Sequence, residues 1–236
     1  MHASTQPAFD TALPRVSDFQ RRQRAAGDTG YAMAGPTQLS ALDRSLLQDL
    51  RRLEADARQQ GGLDVLEVAA AAVRHGRVLR LMLQHEERVL PLTVRPIDRT
   101  VHAPLSPAHW ALLRWSALRV LQVEPAGKDP LPAEHTVPLG MVLWALALHG
   151  ARAELLPEIA GPAAYRIVPG TDLSALDLGG ALAEGVERLR RKTSSLREIE
   201  SWTGLTRERA TRLLKGLYLQ AGLLVSRAHP AAAGAF

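Results

Sequence analysis

The chain has 236 residues, 29 Lys/Arg against 24 Asp/Glu, a net charge of +5, no cysteine and 46% hydrophobic residues. That length fits one domain or two small ones, and the apolar share supports a folded core rather than a disordered polyelectrolyte. With no cysteine, disulfides, Cys-ligated metals and thiol catalysis are excluded.

Residues 1–36 mix Ala, Ser, Thr, Pro, Gly and charge without a period, which predicts a flexible arm; Arg21, Arg22 and Arg24 read as a solvated patch on it. Leu42, Leu46, Leu50 and Leu53 then recur at helical spacing, predicting a helix over 40–60 that Gly61-Gly62 stops. A second helix is expected over Leu63–Val73, where four alanines favour that state. The period next switches to two. Leu79, Leu81 and Leu83 alternate with polar or longer residues, as do Leu90, Leu92 and Val94 after His85-Glu86-Glu87, so two strands joined by a polar turn are predicted. Pro91 denies its strand one ladder donor, which points to an edge strand or a bulge.

Thr100–Ala103 suits a third strand, Ser106-Pro107 the start of a short helix to Trp115, and Arg119–Val123 a further strand. Residues 125–134 read as a loop. The near-continuous apolar run at 138–149 predicts a helix buried on several sides, and Tyr165–Val168 a strand ended by Pro169-Gly170. Residues 37–170 together suggest a mixed α/β domain, and the whole chain an α+β protein.

The positive charge gathers at the end: Val186 to His229 holds ten Lys/Arg and four Asp/Glu. Leu178, Leu182, Val186 and Leu189 stripe one helix, with Arg188, Arg190, Arg191 and Lys192 near its C-terminus, where cations suit the helix dipole. Ser195 with Glu198 three residues on forms a capping-box pattern for a short helix. Thr203-Gly204-Leu205 supplies a turn, and Thr206 caps a further helix whose inner side is Ala210, Leu213, Leu214 and Leu217. Arg207, Glu208, Thr211, Arg212 and Lys215 are expected to face solvent. Gly222 ends that helix before Leu223-Leu224-Val225, a short strand.

On these residues the segment Ser195–Arg227 resembles the winged helix-turn-helix superfamily of bacterial transcription regulators. With the preceding helix, the resemblance covers under a quarter of the chain. It implies a winged-helix-like domain over 171–229, followed by a disordered tail over 230–236. It also implies a recognition helix at Thr206–Leu217. Arg207, Thr211 and Arg212 would then meet base edges, while Arg197, Arg209 and Lys215 would meet phosphates beside the capping Thr206. The chain departs from the family after Val225, where Pro230 and an Ala/Gly run predict no full β-wing.

Two functions follow from this constellation. One is a DNA-binding regulatory protein whose partner is double-stranded DNA, for which a symmetric homodimer would suit palindromic sites. The alternative is a protein-interaction adaptor or scaffold that offers the same basic face to an acidic protein surface. No H-E-x-x-H, G-x-S-x-G or Walker A pattern occurs, so no enzyme, cofactor or metal site is expected. No apolar run is long enough to span a bilayer and no export signal is evident, which predicts a cytoplasmic protein.

Overall fold

In the computed structural model, residues 13–25, 32–33, 43–60, 62–126 and 135–233 are described. The chain forms a mixed α/β fold with two separate sheets, divided into compact units at 1–139 and 140–236. The boundary expected near 170 therefore falls about thirty residues earlier, at the start of the apolar helix over 139–149.

The first unit holds helices α1 (Val16–Ala25), α2 (Arg44–Gln60), α3 (Val65–His75) and the one-turn α4 (Pro107–Trp110). Its strands are β1 (Ala32–Met33), β2 (Leu79–His85), β3 (Arg88–Arg95), β4 (Thr100–Ala103), β5 (Arg119–Pro125) and β6 (His135–Pro138). They form one six-stranded sheet in the order β1-β5-β2-β3-β4-β6, antiparallel except for the β1–β5 pair. The period-two pattern has its expected outcome: Leu79, Leu81 and Leu83 are buried at 0% exposure, and Glu86-Glu87 make the turn to β3. Asp64 caps α3 by accepting from the N–H groups of Leu66 and Glu67, and Gly76 closes it at φ 61°, a left-handed angle that glycine adopts without a side-chain clash.

Several expectations change. The arm over 1–36 contains α1 and β1; Arg21, Arg22 and Arg24 lie on α1, all three exposed. Leu13–Val16 lie along β3, with Val89 N–H donating to Pro14 O and Val16 N–H to Glu87 O, both at 2.9 Å. β3 is an interior strand, not an edge. Its Pro91 is tolerated because Pro14–Val16 cover 87–89 and β4 covers 93–95, leaving a gap at 90–92 where no ladder donor is required. The helix starting at Pro107 stops at Trp110, and a 3₁₀ turn follows at Trp115–Ala117. β6 is an additional strand. The start expected for the first long helix at residue 40, the stop residue Gly61 and most of the 125–134 loop lie outside the described residues.

The second unit contains most of α5 (Leu139–His149), then β7 (Ala164–Ile167), α6 (Ala181–Arg191), β8 (Ser194–Ser195), α7 (Leu196–Glu200), α8 (Arg207–Leu219), β9 (Leu223–Ser226) and α9 (Pro230–Ala233). β7 is the central strand of its sheet, pairing antiparallel with β8 on one side and β9 on the other. The tail expected to be disordered from 230 begins with α9, whose Ala232 is buried at 2% exposure; residues 234–236 lie outside the described residues. Most of the expected aliphatic core is present, although Leu178 precedes α6 and both it and Leu182 are only half-buried. Leu189, Ile199, Ala210, Leu213, Leu214 and Leu217 all have zero exposure. Gly185 makes α6 fit: a Cβ there would lie 2.9 Å from Leu205 Cδ1 and 3.2 Å from Leu213 Cδ2.

Candidate functional site

The basic residues of interest sit on α7, α8 and the turn between them. Ser195 Oγ accepts from Glu198 N–H at 3.3 Å, and Thr206 Oγ1 accepts from Arg209 N–H at 3.3 Å, so both helix starts carry the side-chain caps that their sequences predict. Gly204 turns the chain at φ 76°, and a Cβ there would stand 2.7 Å from that of Ala181, so this turn requires glycine on two counts.

The seven residues picked from the sequence separate into two groups. Arg197, Thr206, Arg207 and Arg209 are exposed, Arg207 with 73% of its side chain in solvent. Thr211, Arg212 and Lys215 are not. Thr211 is 6% exposed and donates its hydroxyl back to Arg207 O at 2.8 Å; Lys215 has zero exposure; the Arg212 side chain is 16% exposed. The segment after α5 holds the last two. Arg212 Nη1 donates to Gly150 O at 3.0 Å, and Lys215 Nζ donates to Arg152 O at 2.5 Å. Periodicity correctly gives these three a side of α8 away from Leu213 and Leu217. That side meets main-chain carbonyl oxygens instead of water, which corrects the expectation of solvent exposure.

Carboxylates are interleaved with the cations of this region, exposed and half-buried alike. Arg207 Nη1 lies 3.2 Å from Glu200 Oε2, Arg212 Nη2 3.0 Å from Glu208 Oε1, and Arg190 Nε 3.4 Å from Glu187 Oε1. Lys192 Nζ donates to Glu198 Oε1. Arg209 Nη1 donates to Gly204 O at 2.8 Å, which ties the first turn of α8 to the preceding turn. Arg188 stacks its guanidinium 5.5 Å from the Trp202 ring centroid, a cation–π contact joining α6 to the end of α7. Sequence spacing gives no sign of that pair, because Arg188 lies on α6 and Trp202 in the turn after α7. The Glu200–Arg207 pair is equally invisible, since a turn intervenes.

Tyr165 on β7 is fully buried and donates its hydroxyl to Ile159 O at 2.6 Å; burial pushes its pKa up. Arg227, just after β9, reaches Pro162 O at 3.4 Å and Glu158 O at 3.3 Å, closing the end of the sheet where β7 begins. Asp172 is held below the usual carboxylate range, first by the Ser174 backbone N–H at 2.9 Å.

Among the described residues, no group of three or more His, Asp or Glu side chains is placed to hold a metal ion, and no helix is long and apolar enough to cross a membrane. No family model, curated protein or solved structure matches the chain.

Proposed function

We propose that the second unit is a protein-docking module of a cytoplasmic adaptor, presenting the α7–α8 face to an acidic protein surface. Its order of elements supports a winged-helix-like scaffold: α6, the short β8, α7, a glycine turn, α8 and β9 follow in sequence. In the winged-helix pattern a strand returns after the recognition helix; here β7, which precedes α6, takes the place beside β9.

The observation that carries the docking reading is the mixed charge of the exposed face, where Arg207 is paired with Glu200 and the exposed carboxylate of Glu208 is held by the largely covered Arg212. A polyanion gains from uninterrupted positive charge and is repelled by carboxylates set among the arginines. A protein partner carrying both signs can satisfy both kinds of group, and such complementarity fixes orientation. The burial of Thr211 and Lys215 also removes one side chain expected at base edges and one expected at phosphates. Double-stranded DNA is the second reading, favoured by one feature: the first turn of α8 exposes Arg207 and Arg209, and recognition helices contact bases through their N-terminal residues.

A photo-crosslinking amino acid at the exposed Ser201 tests both in cells. The docking reading expects an adduct that protease destroys, nuclease spares and Arg207→Glu/Arg209→Glu abolishes. A nuclease-sensitive adduct transfers the face to DNA, and no adduct overturns both.

A further inference from the structure

The second sheet ends in β9, whose far side pairs with no described strand. Ladder alternation determines which groups point there. Val168 N–H donates to Gly222 O at 2.9 Å, so residues 222, 224 and 226 exchange bonds with the β7 side. The N–H and C=O groups of Leu223 and Val225 therefore face outward.

Open strand edges are ordinarily blunted by brevity, proline, bulges or charge. The other sheet edges follow that rule among the described residues. β8 and β1 have two residues each, and β6 ends in Pro138. β9 reads Leu-Leu-Val-Ser, with neither proline nor charge, and Leu224 at its centre is 49% exposed. Across the ladder, Leu224 is paired with Arg166, whose exposed guanidinium has no hydrogen-bond or ion-pair partner among the described residues. An apolar side chain, a free cation and two outward backbone residues thus share one edge.

We propose that β9 is a docking edge for an extended segment of an acidic partner protein, which adds as a fourth strand. Main-chain bonds to Leu223 and Val225 would supply affinity. An aliphatic side chain beside Leu224 and a carboxylate within reach of Arg166 would supply selectivity. Strands in a sheet stand about 4.8 Å apart, so an arginine one strand in can lean across Leu224 to the incoming chain. Charge also decides against a second copy: β7 and β9 contain no carboxylate, and self-pairing would bring Arg166 toward its own equivalent. The edge uses none of the α7–α8 residues, so it stands apart from the face proposed above.

The test uses the full chain and a synthetic peptide of alternating Glu and Val, with a Lys/Val peptide as the charge control. Amide hydrogen exchange and fluorescence anisotropy are the readouts. The Glu/Val peptide is expected to slow exchange at Leu223 and Val225. Val225→Pro removes an outward donor that β7 does not use, and Arg166→Glu reverses an exposed charge without touching the core. Each is expected to weaken binding roughly five- to tenfold, the effect of losing about one hydrogen bond or charge contact. Arg166→Glu should in addition gain affinity for the Lys/Val peptide. Binding unchanged in Arg166→Glu, or no protection at Leu223 and Val225, overturns the proposal. Protection that rises with protein concentration and needs no peptide overturns it in favour of self-association. Loss of peptide binding in Arg207→Glu/Arg209→Glu alone moves the peptide to the helix face, which overturns the edge proposal and leaves the docking face standing.

Discussion

Lys215 donates its Nζ proton to the carbonyl oxygen of Arg152, 63 positions earlier, from a side chain with zero solvent exposure. Burying an ammonium costs several kcal/mol unless it is well bonded, so this contact fastens the segment after α5 to α8. Lys215→Ala removes a charged hydrogen bond and leaves a cavity, and is expected to cost about 3 kcal/mol in urea unfolding followed by tryptophan fluorescence. Lys215→Met keeps most of the volume and is expected to cost about 1 kcal/mol. Crosslinking from Ser201 should be unchanged in Lys215→Met, because the ammonium is out of a partner's reach. A loss of crosslinking with the fold intact would contradict that placement.

Gly216 sets the closeness of α8 to α5. A Cβ at that position would stand 2.4 Å from Trp144 Cζ3, well inside van der Waals contact. Gly216→Ala is therefore expected to destabilise the second unit by about 1–3 kcal/mol, the usual range for overpacking, despite the better helix propensity of alanine. Shrinking the ring should relieve it. In a Trp144→Leu background the same substitution should cost less by about 1 kcal/mol, measured as a double-mutant cycle. Equal costs in the two backgrounds would mean that the ring is not what the methyl meets.

Asp49 joins α2 to α3 in the first unit. Its carboxylate contacts His75 Nε2 at 2.9 Å and Arg74 Nη1 at 2.5 Å, and its pKa lies below the ordinary 3.8, first because of the His75 hydrogen bond. A depressed folded-state value means that ionised Asp49 stabilises the fold above its unfolded pKa, and that this contribution is lost as pH falls through the folded one. The side chain is about one-third exposed, so screening keeps the effect small. Asp49→Asn is expected to lower stability at pH 7 by about 0.5–1 kcal/mol. The gap from the parent protein should narrow as pH falls below 3.8. Urea midpoints measured along that pH series check it, and a gap that widens in acid would reverse the assigned sign.

Local chemistry makes much of this legible in the sequence itself. The β2–β3 hairpin follows from alternation, β4 from Thr100–Ala103, and the two C-terminal helix starts from Ser195 and Thr206. These features are settled within a few residues of themselves. β6 was not legible because His-Thr-Val-Pro is too short to show a period and gains its identity from pairing with β4. The environment of Arg212 and Lys215 was equally hidden. Their helix face is periodic, but what covers it is the carbonyl row of an irregular segment without a pattern of its own. The unit boundary failed for a related reason: β7 looks like the end of the preceding domain until its partners, β8 and β9, are known.

The middle position of β7 also orders the assembly of the second unit in time. Emerging from a ribosome, Ala164–Ile167 must wait for both neighbours, and Arg227 meets Pro162 only after 65 further residues have been made. Until Leu223–Ser226 has been made, one edge of that strand has no partner. Nascent chains stalled before Leu223 would hold it half-clothed, a natural target for chaperones.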